Sequence, residues 1–188
     1  MRIIDYLSII NVQPKVHQIE SLSNKFYHLA SKHKRSAAGI AFICFKDKSI
    51  FLCLRSQHVT FSNNWGIPGG KIESGESAID AAIREVNEEL GSAPDVSGCE
   101  VIDAIIFDSP NLNYTTFIIN ISPKEKEKWK PKLNKEHTKC DWFPISKLPE
   151  SLHPGVKQSL EVITKMFEEE SNQEKKPVAE EEKSTSSS

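Results

Sequence analysis

Six carboxylates lie within residues 69–91 of the sequence, GGKIESGESAIDAAIREVNEELG. Placed on a helix, Glu85, Glu88 and Glu89 share an arc of about 100°. Like charges this close repel one another by a few tenths of a kcal/mol per pair when exposed, and by more when partly buried. The cluster therefore indicates a bound cation, and all-oxygen ligation is typical of Mg²⁺ or Mn²⁺.

The loop before these residues, WGIPGGKIESGE, contains features that suit such a cation. Two adjacent glycines allow the backbone to approach closely and to offer a carbonyl oxygen. Glu76 adds a further acidic side chain near the same place. The loop and the carboxylates that follow it are therefore expected to form one site.

Capping signals mark the helix that carries the carboxylates. Ser77 followed by Asp80 resembles a capping box, and Gly91 suits a left-handed C-terminal cap. The spacing predicts a helix over residues 78–90. Its apolar face, expected to pack on a sheet, contains Ile79, Ile83, Val86 and Leu90.

Strand patterns surround this helix. The apolar runs AAGIAFICF and SIFLCLRS, separated by a short turn, predict an antiparallel pair. VIDAIIFD and YTTFIINI predict a second pair, and CDWFPI a last short strand. Residues 154–167 have apolar side chains at helical spacing. Strands interleaved with two main helices predict a mixed α/β sandwich.

Composition sets the organisation of the chain. With 188 residues and 38% hydrophobic content, one domain is expected, over residues 36–170. Residues 1–35 are interpreted as a mildly basic extension with a short helix. Residues 171–188, rich in Glu, Lys and Ser, are expected to be disordered.

Charge and cysteine content narrow the class of protein. The net charge of −2 argues neither for nor against a nucleic-acid partner. Four dispersed cysteines have no metal-ligand spacing and suit a reducing compartment. No stretch approaches the roughly 20 apolar residues of a membrane span, and no signal-peptide cleavage site is evident. A cytoplasmic protein without membrane contact is expected.

The spacing of the charged and glycine residues resembles a known family. Gly70, Glu76 and the run Arg84-Glu85-Val86-Asn87-Glu88-Glu89-Leu90-Gly91 match the Nudix box, G-x5-E-x7-R-E-U-x-E-E-x-G-U with U apolar. Only the last position departs, because Ser92 replaces an aliphatic residue. The likeness extends from Ala37 to Phe167 and implies an α/β/α sandwich that hydrolyses a nucleoside diphosphate derivative with Mg²⁺ or Mn²⁺.

The resemblance also implies roles for particular residues. Glu88 and Glu89 would ligate metal, and Glu85 would ligate metal or orient the attacking water. Arg84 would brace these carboxylates, and Gly69 would offer its carbonyl. The general base is either Glu85 or Glu136, since similar enzymes often place an acid or base in the loop before the last strand.

Several residues have two interpretations. Trp65 and Lys71 are candidates for substrate binding, although Trp65 is equally suited to packing in the core. His137 and His153 are interpreted as turn residues. Residues 123–135, with six Lys and two Glu around Trp129, are expected to form a solvated loop. Alternatively, these lysines steer a polyphosphate or an RNA 5′ end.

The substrate class is less sharply indicated than the reaction. The run WGIPGGKIESGE resembles MutT-type nucleotide pyrophosphohydrolases, which favours a nucleoside triphosphate or related nucleotide. RNA decapping, or hydrolysis of ADP-ribose or dinucleoside polyphosphates, is the alternative. A non-catalytic binding module is disfavoured, because Arg84, Glu85, Glu88 and Glu89 are all present.

Overall fold

The computed structural model describes residues 35–96, 99 and 101–173. In chain order, this part contains β1 (Arg35–Cys44), β2 (Ser49–Arg55), β3 (Trp65–Gly66), β4 (Gly69–Lys71), α1 (Ala78–Leu90), β5 (Val101–Asp108), β6 (Leu112–Asn120), α2 (Pro123–Lys128), β7 (His137–Pro144) and α3 (Pro154–Gln173). The helix predicted in residues 1–35 lies outside the described residues. Helix α3 extends through residues 171–173 of the predicted tail, and the rest of that tail also lies outside.

All the described strands belong to one mixed sheet. Its order is β3-β2-β1-β6-β5, with β4 paired to β1 and β7 paired to β2. Strands β1 and β6 are parallel, and the other pairs are antiparallel. The two predicted antiparallel pairs, β1–β2 and β5–β6, are thus confirmed. Most of β1, however, pairs with β6 and β4, because only its last residues lie against β2.

The two faces of the sheet bury separate apolar clusters. On one face, Phe42 and Phe51 pack in the same cluster as Val86 and Leu90 of α1. On the other face, Ile43, Leu52 and Ile118 pack with three residues of α3, namely Val156, Ile163 and Phe167. Alternation along each strand sends neighbouring side chains to opposite faces. The predicted α/β/α sandwich is therefore confirmed.

Helix α1 has the predicted bounds because its ends are set locally. The Ser77 side chain accepts a hydrogen bond from the Asp80 N–H, and Gly91 ends the helix with φ of 73°. An Asp, Ser, Thr or Asn cap of this kind stabilises a helix by about 1 kcal/mol. These caps fix where α1 begins and ends, and the helical period then sets which of its residues face the sheet.

The solvated loop predicted over residues 123–135 is wrong in its first half. Pro123–Lys128 form α2, and Trp129 is only 7% exposed. The Trp129 ring lies 4.7 Å from that of Phe51 and 5.4 Å from that of Phe42. Burying this large ring outweighs the solvation of the surrounding lysines. The segment therefore closes one end of the core.

No helix in the described residues is both long and apolar enough to cross a membrane.

Candidate functional site

The Gly-Gly loop is held close to strand β1 by geometry that only glycine permits. Gly69 has φ of 150°, and a Cβ there would lie 2.4 Å from the carbonyl oxygen of Ala38. The Gly69 N–H donates a hydrogen bond to Oε2 of Glu89 over 3.0 Å. The loop thus contacts the last turn of α1 directly.

Glu85 occupies the space that the second glycine leaves open. A Cβ on Gly70 would lie 2.5 Å from the carboxyl carbon of Glu85. The Glu85 side chain is only 17% exposed. The absence of a side chain at position 70 therefore allows this carboxylate to lie against the loop backbone.

Arg84 connects the loop to the helix. Its guanidinium forms two hydrogen bonds with Glu76, of 2.9 and 3.0 Å, and one of 2.8 Å with Glu85. It also donates to the backbone oxygen of Lys71 over 2.9 Å and lies 3.4 Å from Glu88. The hydrogen bonds from Arg84 lower the pKa of Glu76, and those to Glu76 and Glu85 raise the pKa of Arg84.

Glu89 lies in a different environment from its neighbours. It is 2% exposed, whereas the Glu88 side chain is 59% exposed. The helical spacing placed Glu89 away from the apolar face, but β4 and residues 129–134 cover this end of α1. Within that cover, the Asn134 N–H donates to the Glu89 backbone oxygen over 2.9 Å. Burial, followed by the nearby charges of Glu85 and Glu136, raises the pKa of Glu89 to about 8.

Glu136 is therefore close enough to act electrostatically on Glu89, although the two lie 47 positions apart in the sequence. The Ser56 N–H donates to the Glu136 backbone oxygen over 2.8 Å, which ties the loop before β7 to the end of β2. The structure thus brings the predicted loop acid to the same site as Glu85 and Glu89.

The donor set suits a hard divalent cation, although the described residues do not form a closed site. No three His, Cys, Asp or Glu side chains among them are arranged to hold a metal ion. Instead, the Arg84 guanidinium forms ion pairs with Glu85 and Glu88. The raised pKa of Glu89 arises from burial and like charge, both of which a cation would offset. Carboxylate and backbone oxygens are the ligands that Mg²⁺ prefers.

Sequence reasoning missed Arg55, the last residue of β2. Its Nε donates to the Thr60 backbone oxygen over 2.8 Å, which anchors the guanidinium. The positive charge of Arg55 acts on Glu89, on Tyr114, and on both His137 and His153. A charged residue ending the apolar run SIFLCLR was the available signal. Because Arg55 lies far from α1 in the sequence, that signal could not show that it belongs to the site.

The two candidates for substrate binding, Trp65 and Lys71, differ in their burial. Trp65 packs edge-on against Phe143, with centroids 4.7 Å apart, so its core interpretation is supported by a contact. The Lys71 side chain is exposed, and only its carbonyl holds Arg84.

The two histidines differ from each other. His153 precedes α3, where its Nδ1 accepts from the Gly155 N–H over 3.1 Å. His137 is not a turn residue: it begins β7 and is 4% exposed, because a register shift at Arg55 turns it inward. Within the described residues, neither of its ring nitrogens has a hydrogen-bond partner. Burial, followed by the charge of Arg55, lowers the pKa of His137 to about 4.

Comparison with known proteins adds to this geometry. Residues 33–166 match the NUDIX domain family. A Proteus vulgaris protein named 8-oxo-dGTP diphosphatase is 31% identical over 104 residues, which cover 55% of this chain and 85% of that protein. The Saccharomyces cerevisiae m7GpppN-mRNA hydrolase is 35% identical over 148 residues. That match covers 77% of this chain but only 14% of the much longer yeast protein.

Solved structures show the same fold. The MutT NUDIX hydrolase from Burkholderia pseudomallei has a TM-score of 0.51 at 23% identity. The match covers 69% of this chain and 97% of that one. The two proteins therefore share a fold.

Proposed function

The chain is a MutT-like member of the NUDIX domain family, and from this we propose that it hydrolyses a phosphoanhydride bond in a nucleotide with the help of Mg²⁺ or Mn²⁺. A nucleoside triphosphate or related nucleotide is the favoured substrate, as the likeness to 8-oxo-dGTP diphosphatases suggests. The observation that carries the proposal is Glu89, a buried carboxylate kept beside Glu85 and Glu136. A buried carboxylate beside like charges is unfavourable for folding, so its presence indicates a function.

In this proposal the cation is held by carboxylates on one side of α1 and by the loop. Glu85, Glu88 and Glu89 would contribute side-chain oxygens, and Gly69 would contribute its carbonyl. When bound, the ion would polarise the phosphoryl oxygens and lower the pKa of a water molecule. Arg84 positions Glu85 and Glu88 through the contacts that it already makes.

The chain's own residues then handle the proton and the phosphate charge. Glu136 accepts the proton of the attacking water, with Glu85 as the alternative base. Water adds to phosphorus and one P–O bond of the anhydride breaks, which releases a monophosphate and pyrophosphate from a triphosphate. Arg55 faces the same carboxylates and is suited to neutralise the phosphate chain. Trp65 and Lys71 are the candidate substrate contacts in this proposal.

A metal-dependent release assay tests the proposal. Phosphate and pyrophosphate release is measured over nucleotides, ADP-ribose, dinucleoside polyphosphates and capped RNA, with Mg²⁺, with Mn²⁺ and with EDTA. Glu89→Gln should lower turnover at least about a hundredfold. Glu161→Gln is the matched control, because Glu161 is 78% exposed on α3 and pairs with Lys165. Equal turnover by wild type and Glu89→Gln would contradict the metal role.

Decapping of RNA is the second candidate, and the yeast relative favours it. That match has the larger coverage of this chain, 77% against 55% for the Proteus protein. The lysines of residues 123–135 supply positive charge, although Lys126 is engaged by Asp47 and by Ser49. Decapping predicts that RNA binding weakens steeply with salt, whereas turnover of free nucleotides responds mainly to the metal.

We also propose a cytoplasmic location. The four cysteines are free, and Cys44 and Cys53 are buried in the core, which is typical of a reducing compartment. Fractionation of cells that express the tagged protein would test this.

A further inference from the structure

Tyr114 reaches from β6 across β1 to the Gly-Gly loop. In the parallel β1–β6 pair, Tyr114 lies opposite Ala37, two residues before Gly39. A Cβ on Gly39 would lie 2.3 Å from the Tyr114 hydroxyl oxygen, and one on Gly69 would lie 2.8 Å from it. Gly39 and Gly69 are direct partners in the β1–β4 pair. The phenol therefore fills a gap that exists because both positions lack a side chain.

This gap places the hydroxyl beside the charged part of the site. The Gly69 N–H holds Glu89, so the hydroxyl and this carboxylate lie near the same loop residue. A tyrosine phenol is protonated at neutral pH and can donate a hydrogen bond.

Among the hydrogen bonds of the described residues, none involves the Tyr114 hydroxyl, which belongs to a half-buried side chain. Among the described residues, only the two ring nitrogens of His137 are fully buried side-chain atoms without a hydrogen-bond partner, so the Tyr114 hydroxyl is not sealed off and can reach a ligand. Because the hydroxyl is accommodated by two glycines and lies beside Gly69, whose N–H holds Glu89, its expected acceptor is an anionic oxygen of a ligand.

We propose that Tyr114 donates its O–H to a non-bridging phosphate oxygen of the nucleotide, and so contributes to substrate binding. The inference rests on the proposed function, since it names a contact to the same substrate. The nucleobase and sugar are less suitable acceptors, because the groups around the hydroxyl are those expected to surround the phosphate chain.

The test compares Tyr114→Phe, which removes only the hydroxyl, with Thr115→Val. Thr115 is the next residue of β6, is 2% exposed and points to the opposite face of the sheet. Three affinities are measured by calorimetry: for a non-hydrolysable triphosphate analogue with Mg²⁺, for the nucleoside without phosphates, and for Mg²⁺ alone. The values of kcat and KM are measured in parallel.

We expect Tyr114→Phe to weaken analogue binding and to lower kcat/KM about tenfold or more, as for a hydrogen bond to a charged group. Affinities for the nucleoside and for Mg²⁺ alone should stay within about twofold, and Thr115→Val should leave all three affinities within that range. A larger effect on the nucleoside would show that the hydroxyl contacts the base or sugar. A changed Mg²⁺ affinity would show that it acts through the metal. Either result overturns the proposal.

The remaining outcomes separate this proposal from the proposed function. If wild type hydrolyses nucleotides and Tyr114→Phe behaves identically, only the Tyr114 contact is refuted. If wild type neither binds the analogue nor hydrolyses any anhydride, the proposed function fails and this inference fails with it. A fall in thermal midpoint of more than about 8 °C in Tyr114→Phe would reveal a structural role instead and would also overturn the contact.

Discussion

Glu89→Gln is expected to stabilise the metal-free protein while it abolishes turnover. The carboxylate is 2% exposed, and its pKa is raised from 4.5 to about 8. In the unfolded chain the group is ionised at neutral pH, whereas in the folded protein it is mostly protonated. Folding must therefore take up a proton at this residue, and that uptake becomes less favourable as the pH rises.

The magnitude follows from the two pKa values. Each pH unit between them changes the free energy of unfolding by about 1.4 kcal/mol, so near pH 7 the penalty is about 3 kcal/mol. A glutamine has no such penalty and can still accept the hydrogen bond from the Gly69 N–H. Its buried NH₂ group removes about 1–2 kcal/mol of the gain if it finds no acceptor. A net gain of about 1–2 kcal/mol remains.

The sign of the pH dependence is distinctive. Because the folded pKa of Glu89 lies above the unfolded one, its stabilising contribution is complete below about pH 4.5. It is lost as the pH rises toward about 8. The advantage of Glu89→Gln over wild type should therefore grow with pH across this window.

Urea unfolding in EDTA, for both proteins at several pH values within the window, measures this difference. Glu88→Gln is the matched control, since the exposed Glu88 should change stability by less than about 0.5 kcal/mol at any pH. Adding Mg²⁺ should stabilise wild type more than Glu89→Gln, because a ligand stabilises the state that binds it. A variant that is less stable than wild type, or a difference independent of pH, would refute the reasoning about the buried carboxylate.

Four further outcomes can be checked with single variants. Gly70→Ala should displace the Glu85 carboxylate, which lies 2.5 Å from the new Cβ, and lower kcat/KM at least about tenfold. Gly75→Ala, where no atom lies within 4 Å, should keep activity and lower stability by about 1 kcal/mol through its positive φ, as urea unfolding would show. The folded pKa of His137, about 4, lies below the unfolded value of 6.5, so the wild-type free energy of unfolding should fall by about 2 kcal/mol from pH 7 to pH 5. His137→Leu should not show this fall in urea unfolding. Trp129→Ala should lower the free energy of unfolding by about 3–5 kcal/mol, whereas a solvated Trp129 would give almost no change.

The amino-acid sequence determined those parts of the protein that depend on neighbouring residues. The helix from Ala78 to Leu90 was predicted with its correct bounds because Ser77 and Gly91 cap it locally. Strand pairs joined by short turns could also be predicted, because the alternating side chains and the turn residues that indicate them lie within a few positions of one another. The spacing of Arg84, Glu85, Glu88 and Glu89 with the glycines was enough to identify the family.

Only the tertiary structure decided how these elements enclose one another. The burial of Trp129 depends on Phe42 and Phe51, which lie far away in the sequence, so a lysine-rich run could not reveal it. The same applies to His137, which a register shift between two strands turns into the interior.

The site shows the same division. Helical spacing placed Glu89 beside its neighbours but could not show that a loop and residues 129–134 bury it. Arg55 and Tyr114 come from other strands: Tyr114 fills the space left by Gly39 and Gly69, and the charge of Arg55 acts on Glu89. Spacing in the chain specifies side chains on one helix, whereas burial and charge at a site arise from all the elements that meet there.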